Sequence, residues 1–199
     1  MAAALRILIA DDEPLNAMAL RSQLEALGHN VIGPAANGEE AVRLARTETF
    51  DLAILDVQMP RISGLQAAER IFEAQPVPII LLTGYSDPDH VNRALRVPVF
   101  QYLVKPVSMD DLGPAISVAR SRFLAWEQLK EEAADLERRL AEQEVIQRAK
   151  AVLMKARDLS ERDAYRLLRK ESQNRHMPMA AIARDILLVD QLIHDAPRR

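Results

Sequence analysis

The stretch DLAILD, residues 51–56, is the part of this sequence that decides the fold. Its four central side chains are all apolar, and a short apolar run between polar residues is typical of a strand buried on both faces of a parallel sheet. Similar runs occur on either side of it, LRILIA at 5–10, VPIILLT at 77–83 and FQYLVK at 100–105, with a shorter one at 31–33. These runs predict five strands.

Amphipathic segments separate the apolar runs. Residues 14–27 carry apolar side chains at helical spacing and stop at Gly28, and a second segment of this kind follows Gly38. Strands that alternate with helices form a parallel sheet with helices on both faces. We therefore expect an α/β fold, a doubly wound (βα)5 sheet of the flavodoxin type with five helices in about 120 residues, whose ligand site lies beyond the carboxyl ends of the strands.

Chemically active side chains stand at four of these strand ends: Asp11 and Asp12, Asp56, Thr83, and Lys105. Each of these residues taken alone could be an ordinary turn or helix-cap residue. Only their occurrence together at four strand ends indicates a functional site. Three carboxylates in one pocket repel each other and need a cation, and oxygen ligands without His or Cys favour Mg²⁺. The Lys105 ammonium and the Thr83 hydroxyl suit a phosphoryl group, which makes Asp56 a candidate nucleophile that forms an acyl phosphate.

These residues lie in motifs that resemble the receiver domain of bacterial two-component response regulators. The motifs are ADDE at 10–13, DVQMPRISG at 56–64, LLTG at 81–84 and YLVKP at 102–106. The resemblance covers residues 5–120 and implies that Asp56 accepts a phosphoryl group from a cognate histidine kinase. It also implies that Asp11, Asp12 and Asp56 hold Mg²⁺ together with the backbone carbonyl of Gln58.

The same resemblance implies roles at the ends of the fourth and fifth strands. Thr83 would be the hydroxyl that moves toward the phosphoryl group, and Tyr102 the aromatic switch residue that reorients with it. Lys105 would contact a phosphoryl oxygen, and a cis peptide bond would precede Pro106. The sequence departs from the family at 96–98, where Arg-Val-Pro replaces a small-residue and glycine turn.

The composition excludes several classes of protein. There is no cysteine, hence no disulfide, thiolate metal site or Cys nucleophile, and this is typical of a reducing compartment. No apolar run approaches the roughly 18 residues that span a membrane, and the apolar start indicates a strand and not a signal peptide. We expect a cytoplasmic protein without membrane association. We also expect no enzyme activity beyond phosphoryl acceptance and slow self-hydrolysis, because no Ser- or His-based constellation lies elsewhere.

A long helix is predicted to follow the fifth strand. Ser108 and Asp111 match a capping box, which predicts a helix start near residue 109. Residues 115–157 lack Gly and Pro and are rich in helix formers, which predicts a helix of roughly 65–70 Å. A heptad seam runs along it at Trp126, Leu129, Ala133, Leu136 and Leu140. We expect a coiled-coil linker at 121–144 and a homodimer through it, weak or dependent on phosphorylation; the alternative is a helix packed on its own domain.

The remainder, residues 145–199, is predicted to form a small three-helix bundle. The second of its helices begins at Ser160 and covers DAYRLLRKES, and the third begins near Pro178. The apolar positions 164, 165, 167 and 168, then 179, 182, 183, 186 and 187, are predicted to face inward, so that Tyr165 belongs to the core; the alternative for Tyr165 is a stacking platform. The connection at 171–177 is long for the tight turn of a DNA-binding helix-turn-helix.

The charge differs between these parts of the chain. The whole sequence carries a net charge of −3, whereas residues 1–120 carry −5 and residues 145–184 carry +6. Clustered cations on a small bundle are typical of a surface that binds a nucleic-acid phosphate backbone, although a solvated helix face has the same composition.

The bundle resembles the ANTAR domain, an RNA-binding transcription antitermination module, over residues 145–190. The matching residues are Ala149-Lys150, Leu153-Met154, Leu159-Ser160, Ala164-Tyr165, Leu167-Leu168-Arg169, Asn174-Arg175, Met179 and Ile182-Ala183. The resemblance implies a dimer that binds stem-loops in nascent RNA and lets polymerase read through a terminator. At Asp158 the family usually has glycine, so this aspartate is expected to adopt a left-handed conformation.

Six cations are the candidate RNA contacts. Lys150, Arg169 and Arg175 are the first choice, and Arg148, Lys155 and Lys170 are candidate phosphate contacts. The alternative for each is a salt bridge with Glu161, Asp163 or Glu171. Two other functions stay open for the whole chain, namely a DNA-binding response regulator of transcription initiation and a signalling adaptor that binds a protein partner.

Overall fold

The computed structural model describes residues 4–84 and 99–194. The chain divides into two compact units, Met1–Gln128 and Leu129–Arg199. The division into 1–120, 121–144 and 145–199 stays a prediction. The helix expected between the fourth and fifth strands and the turn at 96–98 lie outside the described residues.

Five strands of the first unit form one parallel sheet in the order β2-β1-β3-β4-β5. Its elements are β1 (Arg6–Ala10), α1 (Pro14–Ala26), β2 (Asn30–Ala35), α2 (Gly38–Thr47), β3 (Leu52–Asp56), α3 (Gly64–Ala74), β4 (Ile79–Thr83), β5 (Gln101–Val104) and the first part of α4 (Met109–Arg157). This order confirms the predicted doubly wound fold.

The core of the first unit lies on both faces of the sheet. Successive strand side chains point to opposite faces. Leu8 and Leu55 therefore pack in a cluster with α2 and α3, whereas their neighbours Ile7 and Ile54 pack in a second cluster with α1 and α4. Strands buried on both faces explain why the sequence runs are continuously apolar and do not alternate.

Helix α4 begins where the sequence predicts. The backbone N–H and the hydroxyl of Ser108 both donate to the Asp111 carboxylate, and the helix starts at Met109. It continues through Pro114, which is its sixth residue.

Trp126 does not belong to an exposed seam, so this part of the heptad prediction is wrong. Its ring packs edge-on against Phe72 of α3 with ring centroids 5.1 Å apart, and it also contacts the rings of Phe100 and Phe123. Packing the indole ring of Trp126 against other aromatic rings beside the sheet is more favourable than leaving it exposed to solvent. The four rings attach α4 to the first unit.

The second unit is a three-helix arrangement of the end of α4, α5 (Glu161–Arg175) and α6 (Met179–His194). Its core consists of apolar side chains from all three helices: Ala149, Leu153, Ala164, Leu168, Ile182 and Ala183. Ser160 caps α5 by accepting the N–H of Asp163 at 3.2 Å, as predicted. Asp158 has the expected left-handed backbone, with φ of 51°.

Two predictions for this bundle are wrong. The segment 171–177 is not a long connection, because α5 continues to Arg175 and only 176–178 join it to α6. An ion pair between Glu171 and Arg175 supports the added turn, and His176 ends the helix in a left-handed conformation. Tyr165 is not a core residue, since 43% of its surface is exposed while Ala164 and Leu168 of the same helix are buried.

The other seam positions of α4 lie on the surface of the second unit. Leu129, Leu136 and Leu140 are 65%, 59% and 53% exposed. No helix within residues 4–84 and 99–194 has the length and apolarity needed to cross a membrane.

Candidate functional site

The carboxyl edge of the sheet brings together residues that are up to 94 positions apart in the sequence. Asp11 follows β1, Asp56 ends β3, and Lys105 follows β5. The Lys105 ammonium nitrogen lies 2.8 Å from Asp11 Oδ2 and 2.8 Å from Asp56 Oδ2. Both carboxylates are buried, whereas the lysine is partly open to solvent. The predicted convergence of these side chains is thus present in the fold.

Burial and charge act against each other in this site. Burial raises the pKa of Asp56 above its ordinary value, and the charge of Asp11 adds to this, although Lys105 opposes both. Burial lowers the pKa of Lys105, but its hydrogen bonds to Asp11 and Asp56 outweigh burial and leave that pKa raised. The lysine therefore stays protonated and compensates part of the carboxylate charge.

Three carboxylates could share one cation here. Oxygen atoms of Asp11, Asp12 and Asp56 all lie within 4.8 Å of one another, and Asp12 is exposed. Asp11 also accepts the backbone N–H of Glu13 at 2.9 Å, which orients it toward the cluster. An all-oxygen set with one side open to water fits Mg²⁺, which keeps several of its waters. The predicted role of the Gln58 backbone carbonyl as a further Mg²⁺ ligand stays a prediction. The backbone nitrogen of Gln58 lies 3.5 Å from Asp56 Oδ1.

Thr83 lies on β4, the strand next to that of Asp56, and Tyr102 lies on β5, one strand further out. Thr83 is buried at the end of β4, and its hydroxyl donates to the carbonyl of Gly84 at 3.2 Å. Tyr102 is half-buried on β5, and burial raises the pKa of its phenol. The backbone N–H of Lys105 donates to the backbone carbonyl of Thr83 at 2.8 Å. This hydrogen bond directly joins the ends of the two strands that position Thr83 and Lys105. The peptide bond between Lys105 and Pro106 is cis, as predicted.

Gly64 is a site residue that the sequence reasoning missed. It begins α3, and a Cβ atom at this position would lie 1.9 Å from the carbonyl oxygen of Asp56. Only glycine allows this helix to start against the backbone of the candidate nucleophile. The quoted motif at 56–64 ends on this glycine, which was the available signal.

The six candidate RNA contacts differ in their surroundings. Lys150 is only 6% exposed, and its ammonium donates to Gln147 at 2.9 Å and to Glu161 at 2.6 Å. The same contact lowers the pKa of Glu161. Arg175 pairs with Glu171 at 3.3 Å. The other four cations are exposed and make no ion pair within the part of the chain that the structure describes: Arg148, Lys155, Arg169 and Lys170.

A surface depression on α5 contains further cations that the sequence reasoning missed. Its lining consists of Lys150, Ser160, Glu161, Arg162, Tyr165, Arg166 and Arg169. The spacing of residues 162, 165, 166 and 169 places them on one face of a helix, and this periodicity was the signal that could have found them.

A parallel sheet of this order with acids, a threonine and a lysine at its carboxyl edge is the structure of a phosphorylation-regulated receiver module. Residues 7–117 match the family model of the response regulator receiver domain, and residues 134–187 match that of the ANTAR domain. The chain therefore belongs to the response regulators, with a receiver domain followed by an ANTAR domain. Both predicted resemblances are confirmed.

Relatives support this assignment over nearly the whole length. The chain is 40% identical over 182 residues to the transcriptional regulatory protein PdtaR of Mycobacterium tuberculosis, which covers 92% of this chain and 89% of that protein. It is 30% identical to the transcriptional activator protein IrlR of Burkholderia pseudomallei over 92% of this chain and 77% of that protein.

A solved structure of similar fold is the signal receiver domain of a modulated diguanylate cyclase from Desulfovibrio desulfuricans G20. Its TM-score is 0.58 at 38% identity, covering 62% of this chain and 98% of that domain. A receiver domain from Clostridium thermocellum has a TM-score of 0.54 at 33% identity and covers 60% of this chain and 96% of its own. These similarities concern the receiver fold.

Proposed function

We propose that this response regulator binds stem-loops in nascent RNA through its helical unit and promotes transcription antitermination when its receiver is phosphorylated. The observation that carries the proposal is the set of exposed cations on the ANTAR unit without carboxylate partners among the described residues, Arg148, Lys155, Arg169 and Lys170. Cations left unpaired by the protein are available to phosphates. Both relatives described above carry names of transcriptional regulators.

We infer that Asp56 is the phosphoacceptor and that a histidine kinase is the donor. One Asp56 oxygen is bound by Lys105, and the other faces the Gln58 N–H, so the carboxylate is held in place for attack. Asp11, Asp12 and Asp56 would hold Mg²⁺, which supplies positive charge to the phosphoryl oxygens. The chemistry of the chain is then the transfer of a phosphoryl group to Asp56 and the later hydrolysis of that acyl phosphate by water.

We further propose that phosphorylation acts through Thr83 and α4. The hydroxyl of Thr83 donates only to the adjacent Gly84 carbonyl among the described residues, and this bond is readily exchanged for one to a phosphoryl oxygen. Because β5 leads through Lys105 and Ser108 directly into α4, a shift at the strand end reaches the helix that carries the leucine seam. A homodimer through Leu129, Leu136 and Leu140 would bring two RNA-binding units together.

The test is a selection followed by a binding measurement. Full-length chain treated with acetyl phosphate and Mg²⁺ is incubated with a library of tandem RNA hairpins whose loops are randomised, and the enriched RNA is measured by gel shift. We expect binding that is weakened by Arg169→Ala, lost with Asp56→Asn, and unchanged by Arg46→Ala, which removes an exposed charge from α2. Failure to enrich any RNA would contradict the proposal.

Binding to DNA is a second candidate, and one observation favours it. Only three residues, 176–178, join α5 to α6, and a turn of three or four residues between two helices is the spacing of a helix-turn-helix. A library of duplex DNA in the same selection separates the two functions. Enrichment of duplex DNA instead of RNA would contradict the RNA-binding proposal and favour a DNA-binding response regulator.

A further inference from the structure

The depression on α5 places one aromatic ring among arginines. Tyr165 lies between Arg162 on one side and Arg169 on the other along the same helix face. Residues seven apart on a helix lie roughly 10 Å apart along its axis, so the two arginines stand on either side of Tyr165 along the helix. The depression is wide open to solvent and has a volume of about 680 Å³.

The ring of Tyr165 does not serve the core of the bundle. Ala164 and Leu168, its neighbours on α5, fill the core and are fully buried. The Tyr165 hydroxyl makes no hydrogen bond within the described residues, and its ring stacks on no other ring there. An aromatic side chain exposed in this way has its face available to a ligand.

The charge around the ring selects an anionic ligand. Arg162 and Arg169 make no ion pair with any residue in the ranges the structure covers, and Arg166 reaches Asp163 only at 3.4 Å. The acid among the residues that line the depression, Glu161, is compensated by Lys150 at 2.6 Å. The unpaired charge beside Tyr165 is therefore positive.

We propose that Tyr165 is a stacking platform for one unpaired base of the bound RNA, with Arg162 and Arg169 on the phosphates on either side of that base. This inference rests on the proposed RNA-binding function and deepens it. An unpaired base offers a π-face to an aromatic side chain, and its phosphates offer the charge that guanidinium groups bind. The base of a hairpin loop fits this arrangement because it is not stacked in a duplex.

Two substitutions at Tyr165 and one at each of the two arginines distinguish the contribution of base stacking to RNA affinity from that of phosphate contacts. With the enriched tandem-hairpin RNA and phosphorylated full-length chain, Tyr165→Ala is expected to weaken binding roughly 5- to 150-fold, the range measured for loss of one stacked base. Tyr165→Phe is expected to bind like the native chain because it keeps the ring. Tyr165→Ala leaves the salt dependence unchanged, whereas Arg162→Gln and Arg169→Gln each lower its slope by roughly 0.7.

A modified RNA tests whether the partner of Tyr165 is a base. Removing the bases of the loop one at a time as abasic nucleotides is expected to reveal one position whose loss weakens the native chain but not Tyr165→Ala. The matched control is Leu188→Ala, which removes an exposed apolar side chain from α6 and is expected to leave affinity unchanged. Thermal unfolding of each variant verifies that the fold is intact.

The possible failures are distinguishable. Equal RNA affinity of the native chain and Tyr165→Ala overturns this inference and leaves the RNA-binding function standing. Loss of self-association on Tyr165→Ala with unchanged RNA affinity identifies the depression as a protein interface and also overturns it. Failure of the native chain to bind RNA at all overturns both the function and the inference.

Discussion

Gly64 determines how closely α3 approaches the candidate phosphoacceptor. An added Cβ atom would meet the Asp56 carbonyl oxygen at 1.9 Å, and this neighbour is backbone that cannot rotate away. We expect Gly64→Ala to lower the free energy of unfolding by about 1–3 kcal/mol, as overpacking does, and to slow phosphorylation by acetyl phosphate. Urea unfolding and phosphate-affinity gels measure the two effects.

The matched control for this change is Gly113→Ala in α4. Apart from its two chain neighbours, a Cβ atom at Gly113 meets nothing within 4 Å, and alanine favours a helix interior over glycine by about 1 kcal/mol. Because the ring of the following Pro114 crowds a Cβ atom at this position, part of that gain is offset, and we expect Gly113→Ala to change stability far less than Gly64→Ala. Equal effects of the two substitutions would contradict the role given to Gly64.

His29 gives the receiver a pH-dependent contribution to stability. Burial and the charge of Arg120 lower its pKa from 6.5, and its Nδ1 accepts the N–H of Leu5 at 3.3 Å. The unfolded chain thus binds the proton more readily, so the stability contributed by neutral His29 is present above about pH 6.5 and is lost as the pH falls from there through the lowered pKa of the folded state.

Replacing His29 with glutamine keeps a possible acceptor and removes the titration. We expect the urea midpoint of the native chain to fall more than that of His29→Gln between about pH 7.5 and about pH 5. Arg120→Gln is expected to reduce the difference, since it removes the neighbouring charge. Parallel pH profiles for the native chain and His29→Gln would show that His29 does not titrate on unfolding.

The convergence of the residues at the strand ends was predictable from the sequence. The burial and pairing of residues on helix faces were less predictable. Asp56, Thr83 and Lys105 each terminate an apolar run, and the parallel sheet brings such ends to one edge. Tyr165 follows a core alanine within an apolar stripe, and sequence periodicity does not distinguish the edge of a stripe from its centre. The sequence allows Lys150 to be a free surface cation. Its ion pair with Glu161 could not be assigned from the sequence alone because it forms only when two helices pack together.

At the scale of elements, the aromatic cluster explains why the first part of α4 belongs to the first unit. The rings of Phe72, Phe100, Phe123 and Trp126 lie within 5.1–6.4 Å of one another between centroids. We expect Trp126→Ala to lower the free energy of unfolding of the receiver by about 2 kcal/mol, less than for a fully buried tryptophan. Leu124→Ala on the same helix, at an exposed side chain, is the control and is expected to change it by less than about 0.5 kcal/mol.

Helix ends were the least predictable feature of the elements. The start of α5 at Ser160 follows from a capping residue that the sequence displays. Its end was misplaced because no glycine marks it. His176 takes the left-handed position instead, and the Ser172 hydroxyl donates to the Met177 carbonyl to close the turn.

At the scale of the whole molecule, the net charges of −5 on residues 1–120 and +6 on residues 145–184 belong to different units. Sequence arithmetic was sufficient to find this division. It was insufficient to find which cations are free, because ion pairs such as that of Arg175 with Glu171 form only in the folded helix.

Self-association through α4 is the prediction that concerns the complete chain. Treatment with acetyl phosphate and Mg²⁺ is expected to convert the native chain to dimers in sedimentation velocity. Leu136→Glu combined with Leu140→Glu is expected to keep it monomeric, because two charges would be buried in the seam. Leu192→Glu, an exposed leucine of α6, is the control and is expected to leave dimers intact. Dimers in the seam variant would place the interface elsewhere.

The aromatic cluster also provides an optical probe. The chain contains one tryptophan, and Trp126 stacks with Phe123 and meets Phe100 edge-on beside the sheet. Its fluorescence spectrum therefore reports on a single known place, the packing of α4 against the receiver. Titrating the unlabelled native chain with a phosphodonor while recording emission wavelength would follow, in real time and without an attached dye, whether the signal at Asp56 reaches the helix.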